Sequence, residues 1–203
     1  MTTVPQILQC ATALFLERGY ERTSMEAVAR GVGISAPSLY WHFANKEELC
    51  FTILFDLSQH LNSQIEALPA NEPAANRLRR FVYTHVVTLV RYIEERGDTR
   101  LLYSFPQLSE RLSTAHQEAL QRLTEGFISV LRSILDAGER EEAWALSDAT
   151  VVTYAIANLG DMVTSWYRPG GRLTIEQIGQ QYGQLAVAIA RAERPIVTPK
   201  TQS

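Results

Sequence analysis

Apolar positions recur at intervals of three and four along nearly the whole chain, and alternation at two is hard to find. That spacing predicts helices throughout and an all-α fold. Ile7, Leu8, Ala11, Leu14 and Phe15 form the first stripe, closed by Gly19 where a helix end favours glycine. Thr23 stands three before Glu26 in capping-box spacing and opens a short second helix. Met25, Val28 and Ala29 are its apolar face, and Gly31-Val32-Gly33 stops it. Ser35 caps a third helix, with Pro37 in the first turn, where a missing N–H costs nothing. Asn45, three before Glu48, caps a fourth that carries Leu49, Ile53, Leu57, Leu61 and Ile65 up to the break at Leu68-Pro69.

Residues 69–75, PANEPAA, are the clearest loop. Beyond them the pattern predicts a helix over about 74–95 and a short piece near 98–104 closed by Pro106. A long helix follows over about 108–136, ending at Gly138. Another runs from about Ser147 to Tyr167, and a last one from the Thr174 cap to near Ala192, making about nine in total. The expected organisation is a three-helix N-terminal bundle over 1–48 with a helix-turn-helix at about 25–43, a larger helical domain over 49–195, and a tail, 196–203.

With 203 residues, 46% of them apolar, the chain is long enough for a substantial core and too apolar for disorder. A net charge of -3 excludes a broadly basic, tail-driven nucleic-acid binder but leaves room for a local cationic surface. Cys10 and Cys50 lie in apolar helical patterns and read as buried free thiols rather than a disulfide. The first residues lack the basic start and apolar run of a signal peptide. No window approaches the roughly 18 apolar residues of a membrane span, so a cytoplasmic protein with no membrane partner is expected. The sequence holds no nucleophile elbow, HExxH, phosphate-cradling glycine loop or Cys/His metal spacing, and its histidines, at 42, 60, 85 and 116, are scattered. Neither an enzyme nor a bound cofactor or metal is expected.

The stretch 31–49, GVGISAPSLYWHFANKEEL, carries the chemistry. Two short helices joined by a tight glycine turn predict a helix-turn-helix, whose second helix enters the major groove of DNA by its N-terminal residues. The small residues Ser35-Ala36-Pro37-Ser38 permit close approach. Leu39 and Phe43, four apart, can pack inward; Tyr40 and His42 can then offer polar tips to phosphates, and Trp41 can lie against sugar or a thymine methyl. Lys46 adds a cation beside a helix N-terminus. The competing reading, a plain buried aromatic cluster, leaves Tyr40, Trp41 and His42 on several faces at once.

The run Thr23-Ser24-Met25, Val28-Ala29, Gly31 to Ser35, Leu39 to Phe43 and Asn45 to Leu49 closely resembles the DNA-binding segment of the tetracycline-repressor (TetR/AcrR) family. Ala13-Leu14-Phe15 and Arg18-Gly19-Tyr20 are similar to that family's first helix. The resemblance spans roughly the first 50 residues and implies all-α homodimers on palindromic double-stranded operators, released by a small ligand in the C-terminal domain, with repression the usual outcome. Carried over by position, it implies phosphate contacts for Thr23, Ser24, Tyr40, His42 and Lys46 and base contacts for Ala36, Pro37, Ser38 and Trp41, with Ser35 on the same surface. Many relatives carry a Lys or Arg where this chain has Ala36. Residues 1–50 hold four cations against five carboxylates, so affinity must rest on a few placed charges and the second subunit, with a shallow salt dependence. Replacing Lys46 by Ala is expected to lower the salt slope by about one unit per subunit and to leave sequence preference intact.

A two-fold operator requires a two-fold protein, with half-sites roughly 34 Å apart. Val151, Val152, Ala155, Ile156 and Leu159 are expected to meet Leu185, Ala186, Ala188 and Ile189 in a four-helix interface, with Ala157, Gly160, Gly179 and Gly183 allowing close contact. The same residues could instead form a monomer core. For a small hydrophobic or amphipathic effector, the candidates are polar groups set into apolar stripes: His85, Thr88 and Tyr92 on one helix, Asp161, Met162 and Trp166 on another, with Tyr103 and His116. The segment 166–174 is similar to members of the family that respond to acyl-CoA thioesters. That similarity implies a ligand role for Arg168, with Arg77, Arg79, Arg80 and Arg172 available to phosphates; a helix-ending turn with solvated arginines is the alternative. A helical ligand- or protein-binding module that does not touch DNA is the rival for the whole chain.

Overall fold

The computed structural model describes residues 3–66, 69, 71–96 and 100–192, except for the side chains of residues 66, 93, 96 and 100–103. The expected tail therefore lies outside the described residues. All regular structure among those residues is helical: α1 (Val4–Arg18), α2 (Met25–Val32), α3 (Ala36–His42), α4 (Lys46–Glu66), α5 (Ala74–Arg96), α6 (Arg100–Ser109), α7 (Thr114–Arg140), α8 (Ala149–Asp161), α9 (Val163–Trp166) and α10 (Ile175–Ala190). The four residues of α9 continue α8 past a turn at Met162, so the all-α architecture of about nine helices is as the periodicity predicts. No described helix is long and apolar enough to cross a membrane.

The chain forms two compact units. Among the described residues the first comprises 3–62 and 91–125, the second 63–90 and 126–192. In the first, Ile7, Leu8, Ala11 and Phe15 of α1 are buried with Met25, Val28 and Ala29 of α2 and with Leu39 and Phe43. In the second, α5, α7, α8 and α10 share one core that includes Phe81, Val82, Val86, Leu131, Leu135, Val152, Ile156, Ile178 and Val187. Each such side chain contributes about 1.5–3 kcal/mol on leaving water, which fixes which face of each helix turns inward. Cys10 and Cys50 are free, and burial pushes the Cys50 thiol up to about 12, leaving it protonated and inert.

Several boundaries differ from expectation. Pro106 does not end α6: the helix runs through it to Ser109, whose hydroxyl donates to the Pro106 carbonyl, and α7 starts only at Thr114. Gly138 does not end α7, which continues to Arg140. Its glycine serves packing instead, because a Cβ there would stand 1.9 Å from the buried Trp144 ring, whose indole N–H donates to the Leu135 carbonyl at 2.9 Å. The cap of α2 is Ser24, which accepts from the Ala27 N–H; Thr23 turns inward. Gly179 and Gly183 face α5 within the chain, and Gly160 faces His85, so these small residues permit contacts inside the second unit rather than between subunits.

Candidate nucleic-acid interface

The turn between α2 and α3 follows from two local choices. Gly33 adopts φ 73°, ψ 31°, a left-handed conformation open to glycine, and its N–H closes back on the Ala29 and Arg30 carbonyls. Ser35 then caps α3, its Oγ accepting from the Ser38 N–H at 3.2 Å and lying 2.7 Å from the Ser38 Oγ. With seven residues, α3 can bury only one stripe. Leu39 is fully buried and Phe43, just past the helix, nearly so, while Tyr40 is 46% and Trp41 84% exposed. Ser24, Ser35, Pro37, Ser38 and His42 are exposed as well, and Ala36 is half-buried. The crowded aromatic run is thus divided between core and surface rather than sealed inside. The Glu26 carboxyl is held below the usual carboxylate range, chiefly by a backbone N–H at the start of α2 and then by the hydroxyls of Ser24 and Tyr40.

Two residues expected at phosphates are engaged elsewhere. Thr23 is buried, and its hydroxyl reaches the Leu14 and Gly19 carbonyls at 3.2 and 3.0 Å, locking the α1–α2 corner; its side chain is withdrawn from the surface. The Lys46 ammonium donates to the Tyr20 carbonyl at 2.9 Å and sits 4.3 Å above the Tyr20 ring. Replacing Lys46 by Ala is therefore expected to lower stability by about 1 kcal/mol in urea titrations. The salt slope of DNA binding is expected to change by less than the one unit per subunit of a free ammonium.

The first unit also holds a clamp that sequence reasoning missed. Glu47 accepts from the Ser113 N–H and from His116 Nδ1, both at 2.8 Å, and Glu48 lies 3.5 Å from His116 Nε2. The His116 ring stacks on Phe51 with centroids 4.0 Å apart. The start of α7 is thereby fastened to the start of α4. His116, expected to line an effector pocket, is committed to this clamp instead. The Ser113 backbone N–H, then the Ser113 hydroxyl and His116, hold the Glu47 carboxyl below its ordinary value of 4.5. The folded state therefore releases that proton more readily than the unfolded chain. The resulting stability is complete above about pH 4.5 and disappears as pH falls through the lower folded value. Replacing Glu47 by Gln removes this term, so the difference in Tm between parent and variant is expected to shrink as melts move from about pH 6 to about pH 3.

The remaining effector candidates are dispersed. His85 is buried in the second unit and bonds Asp161 at 2.8 Å; Thr88 is half-buried one turn along α5. Tyr92 belongs to the first unit, where its hydroxyl lies 3.4 Å from Asp56. Met162, Trp166 and Arg168 are exposed, with the Trp166 indole donating to the Tyr182 hydroxyl at 3.0 Å. The Tyr103 side chain lies outside the described residues. Of the expected interface residues, Val152, Ile156 and Ala186 are in the second unit's core, whereas Ala155 and Leu185 are exposed and Leu159 and Ile189 half-buried. Val151 and Tyr154 on α8 and Leu185 on α10 are large apolar side chains left exposed on these helices. Tyr154 was overlooked, although it stands three after Val151 on the same helical face. No group of three or more His, Cys, Asp or Glu side chains among the described residues is arranged to hold a metal.

Comparison with known proteins sets this geometry in a lineage. Residues 7–53 match the family described as "Bacterial regulatory proteins, tetR family", and residues 71–190 match "Tetracyclin repressor-like, C-terminal domain". The chain is 29% identical over 189 residues to the HTH-type transcriptional repressor KstR2 of Mycobacterium tuberculosis, covering 87% of each protein. It superposes on the TetR family regulator PfmR of Thermus thermophilus with a TM-score of 0.75 at 30% identity, covering 90% of this chain and 97% of that one. AibR in complex with isovaleryl coenzyme A and operator DNA shares the fold, with a TM-score of 0.70 at 23% identity over 91% of this chain and 96% of that one. With both halves matched and an exposed reading helix, the chain belongs to the TetR family of bacterial transcriptional regulators and carries its helix-turn-helix DNA-binding domain.

Proposed function

We propose that this regulator is a homodimeric repressor that binds a palindromic operator and leaves it when a small hydrophobic or amphipathic effector, an acyl-CoA thioester in the leading case, occupies the second unit. One observation carries the reading: α3 buries Leu39 and turns Trp41 outward at 84% exposure, an arrangement that serves contact with a partner and not a core. Ser24, Ser35, Ala36, Pro37, Ser38, Tyr40, Trp41 and His42 form the DNA surface in this reading. Ala155, Leu159, Leu185 and Ile189 belong to the subunit interface, together with Val151 and Tyr154. Large apolar side chains left exposed on both α8 and α10 support the dimer, since such surface is costly to leave in water.

The thioester assignment draws on a groove lined by Asn76, Arg79, Arg80, Tyr83, Gln180 and Gln184, whose cations suit phosphates. It also draws on a fold neighbour, AibR, known in complex with isovaleryl coenzyme A. Release requires that the effector bind the DNA-incompetent arrangement better than the competent one. The natural lever is α4, which belongs to the first unit through Asn62 and to the second from Ser63. A mobility-shift assay with DNA from the protein's own upstream region, repeated with long-chain acyl-CoA, tests the reading, alongside sedimentation of the free protein. A retarded band lost on adding acyl-CoA, and a dimer mass, are expected. No retardation, or a monomer mass, defeats the repressor reading; a band that persists defeats the thioester effector alone.

A further inference from the structure

His85 on α5 is 5% exposed. Elements from α7 and α8 meet its ring. The Phe127 centroid lies 4.9 Å away at 54°. At Gly160 a Cβ would stand 2.6 Å from the imidazole Cδ2, so glycine there is what lets the ring lie against α8. Asp161 Oδ1 is 2.8 Å from Nε2.

The protonation pattern follows from those contacts. The Asp161 side chain is 58% exposed, and a carboxylate has no hydrogen to donate, so the N–H of this pair is on His85 Nε2. In the neutral ring the opposite nitrogen, Nδ1, then presents a lone pair. That atom is buried and has no hydrogen-bond partner. Buried acceptors are rarely left without a donor, and the Asp161 bond with the close Gly160 backbone holds the ring in this orientation.

The geometry points to an effector that carries a hydrogen-bond donor, a hydroxyl or an amide N–H, and delivers it to His85 Nδ1 beside Phe127. The inference rests on the effector-releasing function proposed above and names the chemistry its ligand must offer. Gly160 and Asp161 act as positioning residues, the first by making room for the ring and the second by fixing which nitrogen faces the ligand. A ligand with only a hydrocarbon or an ether at this depth leaves the lone pair unmet, and a site that hydrogen-bonds one group rejects the analogue lacking it.

Binding of 1-octanol and of its methyl ether to the full-length protein separates the cases, because the two differ in the donor. Calorimetry on the parent protein is expected to give octanol an affinity about tenfold higher, with the difference gone in His85→Leu. The imidazole nitrogen resonances of histidine-labelled parent protein supply a second readout that stands even where the variant fails to fold: octanol moves the His85 Nδ1 signal and the ether does not. Equal affinities, binding of neither probe or an unmoved Nδ1 signal overturns the inference; equal affinities are also what a trapped water supplying the O–H would give. Failure of acyl-CoA to release operator DNA counts against the function above and leaves this comparison intact.

Discussion

Replacing Trp41 by Ala leaves the fold as stable as before and removes most of the operator affinity. The side chain is 84% exposed, and its ring contact is an edge-on approach to neighbouring His42, 5.1 Å between centroids, so truncation opens no cavity. Exposed substitutions of this kind change stability by about 0.5 kcal/mol or less. In the proposed complex the same ring would cover sugar or a thymine methyl, a contact worth about 1–3 kcal/mol at each half-site. The proposed dimer would lose it twice, which would lower affinity by roughly two to four orders of magnitude. Mobility shifts and urea melts on one preparation check both halves. A variant that binds as tightly as its parent takes Trp41 out of the reading surface, and one that unfolds early shows the ring to be structural.

Replacing Gly183 by Ala should destabilise the second unit by about 1–3 kcal/mol, net of the helix propensity that alanine gains. The new Cβ would lie 2.7 Å from the Arg79 carbonyl oxygen and 3.2 Å from its Cα. These are backbone atoms of α5, so relief requires α5 and α10 to separate, loosening the shared core around Phe81 and Ala186. Gly179 provides the internal comparison. A Cβ there meets side-chain atoms of Tyr83 and Val87, both at 2.9 Å, and side chains can rotate away. Urea unfolding should therefore rank Gly183→Ala as more damaging than Gly179→Ala, with the exposed Gln184→Ala close to the parent. The reverse order would mean that the helices are free to part and that side-chain packing sets their distance.

The helical periodicity and the reading helix were legible because their causes are local. A stripe at three and four spells out a buried face, and the Ser35 and Asn45 caps act within three residues of themselves. Pro106 and Gly138 misled for the complementary reason. The one is tolerated inside α6, and the other is a glycine because of an indole six residues on, which no local rule anticipates. The partners of His85 and His116 were beyond reach: Asp161 lies 76 residues from His85 and Glu47 lies 69 from His116, so only the fold brings them together. Thr23 failed through an ambiguity of type, since a threonine before a helix can cap it or, as here, tie down the preceding corner.

The clamp between Glu47 and the Ser113–His116 turn, together with the ion pair of Arg111 and Glu21 at 3.4 Å, makes residues 91–125 part of the same body as the DNA-reading bundle. Chimeras that swap reading heads between regulators by cutting after residue 48 would sever those ties and graft a head stripped of its brace. Transplants that carry the α6–α7 corner along with α1–α4 keep the bracing intact and give a recombinant sensor the better prospect of gripping its target sequence.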